Sequence, residues 1–138
     1  MSIRFLNNEI LFKVKNSRKI ADWIKSVAKK EKKQIGELSY IFCSDEYLLS
    51  LNQQYLKHNT LTDIITFDYS EGKTLSGEIY ISIDRVAENA EKFKVSFQEE
   101  LHRVMIHGVL HLAGYKDKKP AEKALMRKKE EACLSLRR

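Results

Sequence analysis

Residues 96–117 read SFQEELHRVMIHGVLHLAGYKD. Ser96 followed by Glu99 is a capping box, in which a hydroxyl and a carboxylate satisfy the free amides that open a helix. Leu101, Val104, Met105, Leu110 and Leu112 then recur at helical intervals. Gly114 stands where the helix should end, because glycine takes a left-handed C′ conformation without strain. His107 and His111 are four residues apart on this helix, so both rings project from one face, one turn apart. Two imidazoles at that spacing can share a zinc ion, at about 2.0–2.1 Å each. Gly114 lets the chain reverse, and Asp117 can bring a carboxylate back to the same ion. Two nitrogens, one oxygen and an open position describe a catalytic site more than a closed structural one. The competing reading is two histidines packed in an apolar helix, each donating to a backbone carbonyl. Where H-E-x-x-H zinc proteases carry a glutamate as general base this chain has Gly108, so a mechanism of that type lacks its base.

Outward from this helix, short strands and helices alternate. Ile3–Leu6, Ile10–Val14, Leu38–Cys43, Ile64–Tyr69 and Glu78–Ile83 read as strands, the last with Ile79, Ile81 and Ile83 on one face. Ser17 can cap a helix whose apolar face is Ile20, Trp23, Ile24, Val27 and Ala28, with Trp23 anchoring it to the sheet. Ser44 or Asp45 opens a helix carrying Leu48, Leu51 and Tyr55. Asp84 opens another through Phe93, and Pro120 suits the first turn of the last. The expectation is an α+β fold: residues 1–138 as a single domain, with a mixed β-sheet of about four strands, helices packed on it and the metal site on a long helix.

The 138 residues are 43% hydrophobic and 32% charged, which excludes collagen-like and broadly disordered chains. No apolar run approaches the roughly 20 residues of a membrane span, and no signal-peptide pattern opens the chain. Cys43 and Cys133 form no CxxC motif and read as small apolar residues in a reducing cytoplasm. Charge is uneven. Residues 1–35 carry net +7, residues 36–115 net −6 and residues 116–138 net +5. An acidic centre between basic ends suits a polyanion-binding protein whose acidic part holds a cation. Equally, Lys29, Lys30, Lys32 and Lys33 suit a solvated helix end, where they complement the dipole.

The stretch His107-Gly108-Val109-Leu110-His111-Leu112-Ala113-Gly114-Tyr115 resembles the signature of the YbeY family, whose pattern is H-G-x-L-H-L-x-G-Y-D-H. Leu51-Asn52-Gln53-Gln54-Tyr55 is similar to the family's L-N-x-x-[YF] segment, Thr62 to Phe67 to its T-[DN]-V-L-[ST]-F, and Gly77-Glu78-Ile79-Tyr80-Ile81 to its G-D-I-x-I strand. Glu122 and Met126 resemble the acid and methionine of its last helix, so the likeness runs in matching order from about residue 48 to 131. It implies a metal-dependent endoribonuclease that cuts single-stranded RNA and matures the 3′ end of small-subunit ribosomal RNA. RNA and the ribosomal small subunit are then the partners, with no membrane, and His107, His111 and Asp117 hold one divalent ion, zinc first.

The sequence departs from the pattern in four places: Lys116 stands at the aspartate before the third histidine, Glu78 keeps the charge of the strand's aspartate on a longer arm, and Asp117 and Leu56 replace a histidine and an arginine. Asp117 stands at the family's third histidine, and its harder oxygen admits Mn²⁺, Ni²⁺ or Mg²⁺ as well as Zn²⁺. Leu56 stands at the family's active-site arginine, so its phosphate contact comes from Lys57 or His58 or is absent, and no catalytic residue is assigned except the candidate His58. His102 reads as structural or superficial. Tyr55, Tyr69 and Tyr80 can stack on unpaired bases, although a place in the core is the plainer expectation for each. A hydrolase of another phosphate ester, or a ribosome-binding assembly factor with a structural metal, remains open on the residues alone.

Overall fold

The computed structural model describes residues 2–57 and 62–137. In chain order the elements are β1 (Ser2–Asn7), α1 (Ser17–Lys30), β2 (Gln34–Cys43), α2 (Asp45–Tyr55), β3 (Ile64–Asp68), β4 (Thr74–Ser82), α3 (Ile83–Phe93), α4 (Phe97–Leu112) and α5 (Pro120–Leu134). The strands form one sheet in the order β1-β2-β4-β3, with β1, β2 and β4 parallel and β3 antiparallel to β4. This is the expected mixed four-stranded α+β arrangement.

Alternation decides the two faces. Leu38, Tyr40 and Phe42 of β2 and Ile79 and Ile81 of β4 point to one face, where they pack with Ile24 and Val27 of α1 and Leu101, Met105 and Val109 of α4. The Tyr40 hydroxyl donates to the Met105 carbonyl at 3.0 Å, so this buried phenol is satisfied by α4 itself. On the opposite face α2 covers Cys43 and Ile65 with Leu48 and Leu51.

Several expectations change in detail. Residues 10–14 form no strand; Phe12 sends its ring onto Phe42 and Phe97, and its carbonyl accepts from Asn7 Nδ2 at 2.6 Å. Alternating apolar side chains there record burial without a backbone ladder, since the chain turns out of line at Glu9, whose φ is 57°. Ser17 is the first helical residue, and Asn16, at φ 56°, precedes it without a side-chain cap. Ile83 opens α3 rather than ending a strand. Trp23 anchors α1 to other helices: its Nε1 donates to the Cys133 carbonyl at 2.8 Å, and its ring lies 5.7 Å from that of His102.

Gly108 sets how closely α4 approaches the sheet. A Cβ there would lie 2.8 and 3.0 Å from two Ile79 carbons and 3.2 Å from Ile64 Cδ1. The missing side chain lets the helix settle onto β3 and β4, which places His107 and His111 over the edge strand.

Candidate metal centre and cleft

Ser96 accepts from the Glu99 amide at 3.0 Å and starts α4, but the Glu99 carboxylate pairs with Arg137 at 2.7 Å, so only the serine half of the expected capping box forms. At the other end the Tyr115 amide donates to the Leu110 carbonyl and the Gly114 amide to the His111 carbonyl, each at 3.0 Å. That is a Schellman reversal, with Gly114 at φ 108°. It folds residues 115–117 back along the helix. The Tyr115 carbonyl comes within 2.9 Å of His111 Nδ1, and Asp117 Oδ2 lies 3.1 Å from His107 Nε2 and 3.2 Å from His111 Nε2. Ligand atoms of the three residues all lie within 4.8 Å of one another, close enough to hold a metal ion.

The hydrogen-bond partners test whether these residues suit a cation. His111 Nδ1 faces a carbonyl, and His107 Nδ1 faces Glu130 Oε2 at 2.5 Å. Neither partner can donate, so each Nδ1 carries the proton. In the neutral rings both Nε2 atoms then present lone pairs to a carboxylate oxygen. With both rings neutral three acceptors converge, a conflict that a bound metal ion resolves and that a second proton on His107 would also resolve. A carboxylate or carbonyl behind a ligating histidine is the arrangement metal sites use to fix tautomer and basicity. Burial opposes charge on His107, but Glu130, Asp117 and Asp63 outweigh it and hold its pKa above the usual histidine value. Glu130 is also buried, which opposes ionisation, yet His107 and Arg103 keep its pKa below the usual carboxylate range.

Arg103 completes this layer. Its guanidinium pairs with Glu100 and donates through Nη1 to Glu130 Oε1 at 3.0 Å. Two buried glutamates, Glu100 and Glu130, bridged by the half-buried Arg103, therefore form a chain that ends on the first histidine. Sequence reasoning misses Glu130, Glu100 and Arg103. The signal is present in α5, where Met126, Glu130 and Cys133 share the buried stripe and one of them is charged.

The three candidate ligands line a cleft of about 570 Å³ together with Leu56, Asp63, Ile64, Thr66, Arg103 and Lys118. Burial raises the pKa of Asp63 despite Arg103 and His107 nearby. Leu56 reaches the cleft wall, Lys57 is exposed at φ 56° and lies outside the cleft lining, and His58 lies outside the described residues. Tyr55 and Tyr69 are exposed, 57% and 59%, instead of in the core, and neither lines the cleft. Tyr80 is half-buried, edge-to-face with Phe67 at 5.7 Å. His102 is structural: its Nδ1 accepts from Arg137 at 2.7 Å beside Trp23, and burial followed by that arginine lowers its pKa.

The family profile described as Endoribonuclease YbeY matches residues 3–137. This chain belongs to the YbeY family. The YbeY endoribonuclease of Flavobacterium psychrophilum is 58% identical over 94% of this chain and 93% of that protein. The one from Cytophaga hutchinsonii is 51% identical over 99% and 96%. The solution structure of TM1509 from Thermotoga maritima superposes with a TM-score of 0.63 at 30% identity, covering 97% of this chain and 90% of that one. The YbeY resemblance read from the sequence is thus borne out along nearly the whole chain. Among the described residues no helix is long and apolar enough to cross a membrane.

Proposed function

We propose that this chain is a metal-dependent endoribonuclease, residues 1–138 acting as one YbeY-like domain, with His107, His111 and Asp117 as the ligands of one divalent ion. The relatives carry the name endoribonuclease, which supports RNA as substrate. The observation that carries the metal reading is the convergence of His107 Nε2 and His111 Nε2 on one Asp117 oxygen while Glu130 and the Tyr115 carbonyl claim both Nδ1 protons. Zinc suits two imidazoles, and the carboxylate in place of a third leaves Mn²⁺, Ni²⁺ or Mg²⁺ as alternatives. A divalent cation supplies Lewis-acid polarisation of a phosphodiester oxygen and lowers the pKa of water. The protein's own part is to orient. Glu130 holds the His107 ring through Nδ1, Tyr115 holds that of His111, and the Gly114 reversal delivers Asp117. We assign the cleft of about 570 Å³ to single-stranded ribosomal RNA of the small subunit in the cytoplasm.

Metal content of purified wild type beside His107→Ala and Asp117→Ala tests this reading. One equivalent in wild type, lost in both variants, is expected. No bound metal after reconstitution would sink it.

A further inference from the structure

The metal cluster opens on two sides. Besides the cleft, a second depression of about 230 Å³ is lined by Arg103, His107, Asp117, Lys123, Met126, Arg127 and Glu130. Arg103, His107 and Asp117 thus belong to both walls. Lys123 and Arg127 stand one turn apart on α5, so they share a face. Both are exposed, and neither has an ion-pair partner among the described residues. Arg103 is different, since Glu100 and Glu130 already neutralise it. On the cleft side, the position where the family carries an arginine is the apolar Leu56. Among the described residues Lys118 is the unpaired cation on the cleft side, next to Asp117, and Lys123 and Arg127 add two more from the second depression.

We infer that Lys123 and Arg127 form a phosphate-binding site on α5 that grips the backbone of single-stranded RNA beyond the metal centre, on the side opposite the Leu56 wall. The inference rests on the nuclease reading and extends it to the path of the strand. The strand runs along the Leu56 and Thr66 wall, across the metal ligands and over α5. Two cations at helical spacing suit adjacent backbone phosphates, and they read no base, so the site adds affinity without sequence preference.

The test uses the metal-loaded full chain and a labelled single-stranded oligoribonucleotide. Lys123→Gln with Arg127→Gln is compared with a charge-matched pair, Arg18→Gln with Lys19→Gln, on exposed positions of α1. Each phosphate contact on a single strand contributes roughly 0.7 to the slope of log affinity against log salt. The α5 pair should lower that slope by about 1.4, raise Kd and KM roughly tenfold, and leave metal content and melting temperature unchanged. The α1 pair should change each far less, because α1 lines neither the cleft nor the second depression. Unchanged affinity and slope in the α5 pair would overturn the inference, and so would an equal loss in the α1 pair, which would reduce the effect to net charge. Failure of the metal-loaded wild type to cleave would instead remove the nuclease reading on which the inference stands.

Discussion

Glu130 acts through a single proton. Its carboxylate holds hydrogen on His107 Nδ1 and so leaves Nε2 as the ligand. In Glu130→Gln an amide replaces the charge, and the ring loses both its fixed tautomer and the pull that raises its basicity. Metal affinity should fall about 10–100-fold, measured by competition with a chelator, while the three ligands stay in place. Retained affinity would mean that Glu130 serves only to neutralise Arg103. The two cysteines make a contrasting prediction. Burial pushes the Cys43 thiol up to about 12 and the Cys133 thiol up to about 11, with neighbouring carboxylates adding to both. A thiol pKa raised by folding favours the protonated state, so the stability it lends is intact below the unfolded value, near 9, and is lost as pH rises past it. Both thiols should resist alkylation at neutral pH and react at the unfolded rate in denaturant. Fast labelling of the folded chain would place a thiolate where the structure places a buried thiol.

Helix α4 carries the site because its own sequence defines it at both ends and along one face. Ser96 with Glu99, the two histidines and Gly114 all belong to that one element and its caps, which is why its limits and the His107–His111 pair are legible in the residues alone. Asp117 is legible too, since Gly114 demands a reversal and the carboxylate follows within three residues. Glu130 is not, because it meets His107 across the packing of α5 on α4, 23 residues away. Nor can residues 10–14 be told from a strand, because alternation reports which side chains are buried and says nothing of whether a neighbouring backbone is free to pair. Tyr55 and Tyr69 escape a core assignment for a related reason: aromatic residues are most often buried, but these lie at the end of α2 and just past the edge strand β3. Gly108 tests the element directly. In Gly108→Ala the gain in helix propensity, about 1 kcal/mol, is opposed by overpacking against Ile79 and Ile64, typically about 1–3 kcal/mol. The net effect should be a loss of up to about 2 kcal/mol in denaturant unfolding. Since both histidines ride on the same helix, the variant should still bind metal. Stabilisation would show that α4 can lift from the sheet without penalty.

Across the whole molecule, core and metal centre are separate constructions. The core of Ile24, Tyr40, Phe42, Ile79, Leu101 and Met105 closes without any ligand, whereas His111 and Asp117 sit at the rim. Tyr115 further ties the turn to distant elements: its hydroxyl donates to Glu31 at 2.7 Å, and Lys129 reaches the same carboxylate at 3.1 Å. Metal-stripped protein should therefore keep its helical circular dichroism and a cooperative melt. Ion at a hundred times its Kd should add about 2.7 kcal/mol of stability by mass action. Collapse of the fold on chelation would make the ion structural. The lysines at the end of α1 and the cations of α5 give the chain its positive character, and Lys29 and Lys30 meet the helix dipole as a solvated end should. The most direct measurement is cleavage of a single-stranded RNA by metal-stripped protein as a divalent ion is titrated back, wild type beside His111→Ala. Cleavage should be absent without the ion, recover to saturation at one equivalent in wild type, and fail to recover in the variant. Equal cleavage by stripped and loaded protein, or by His111→Ala and wild type, would contradict metal dependence.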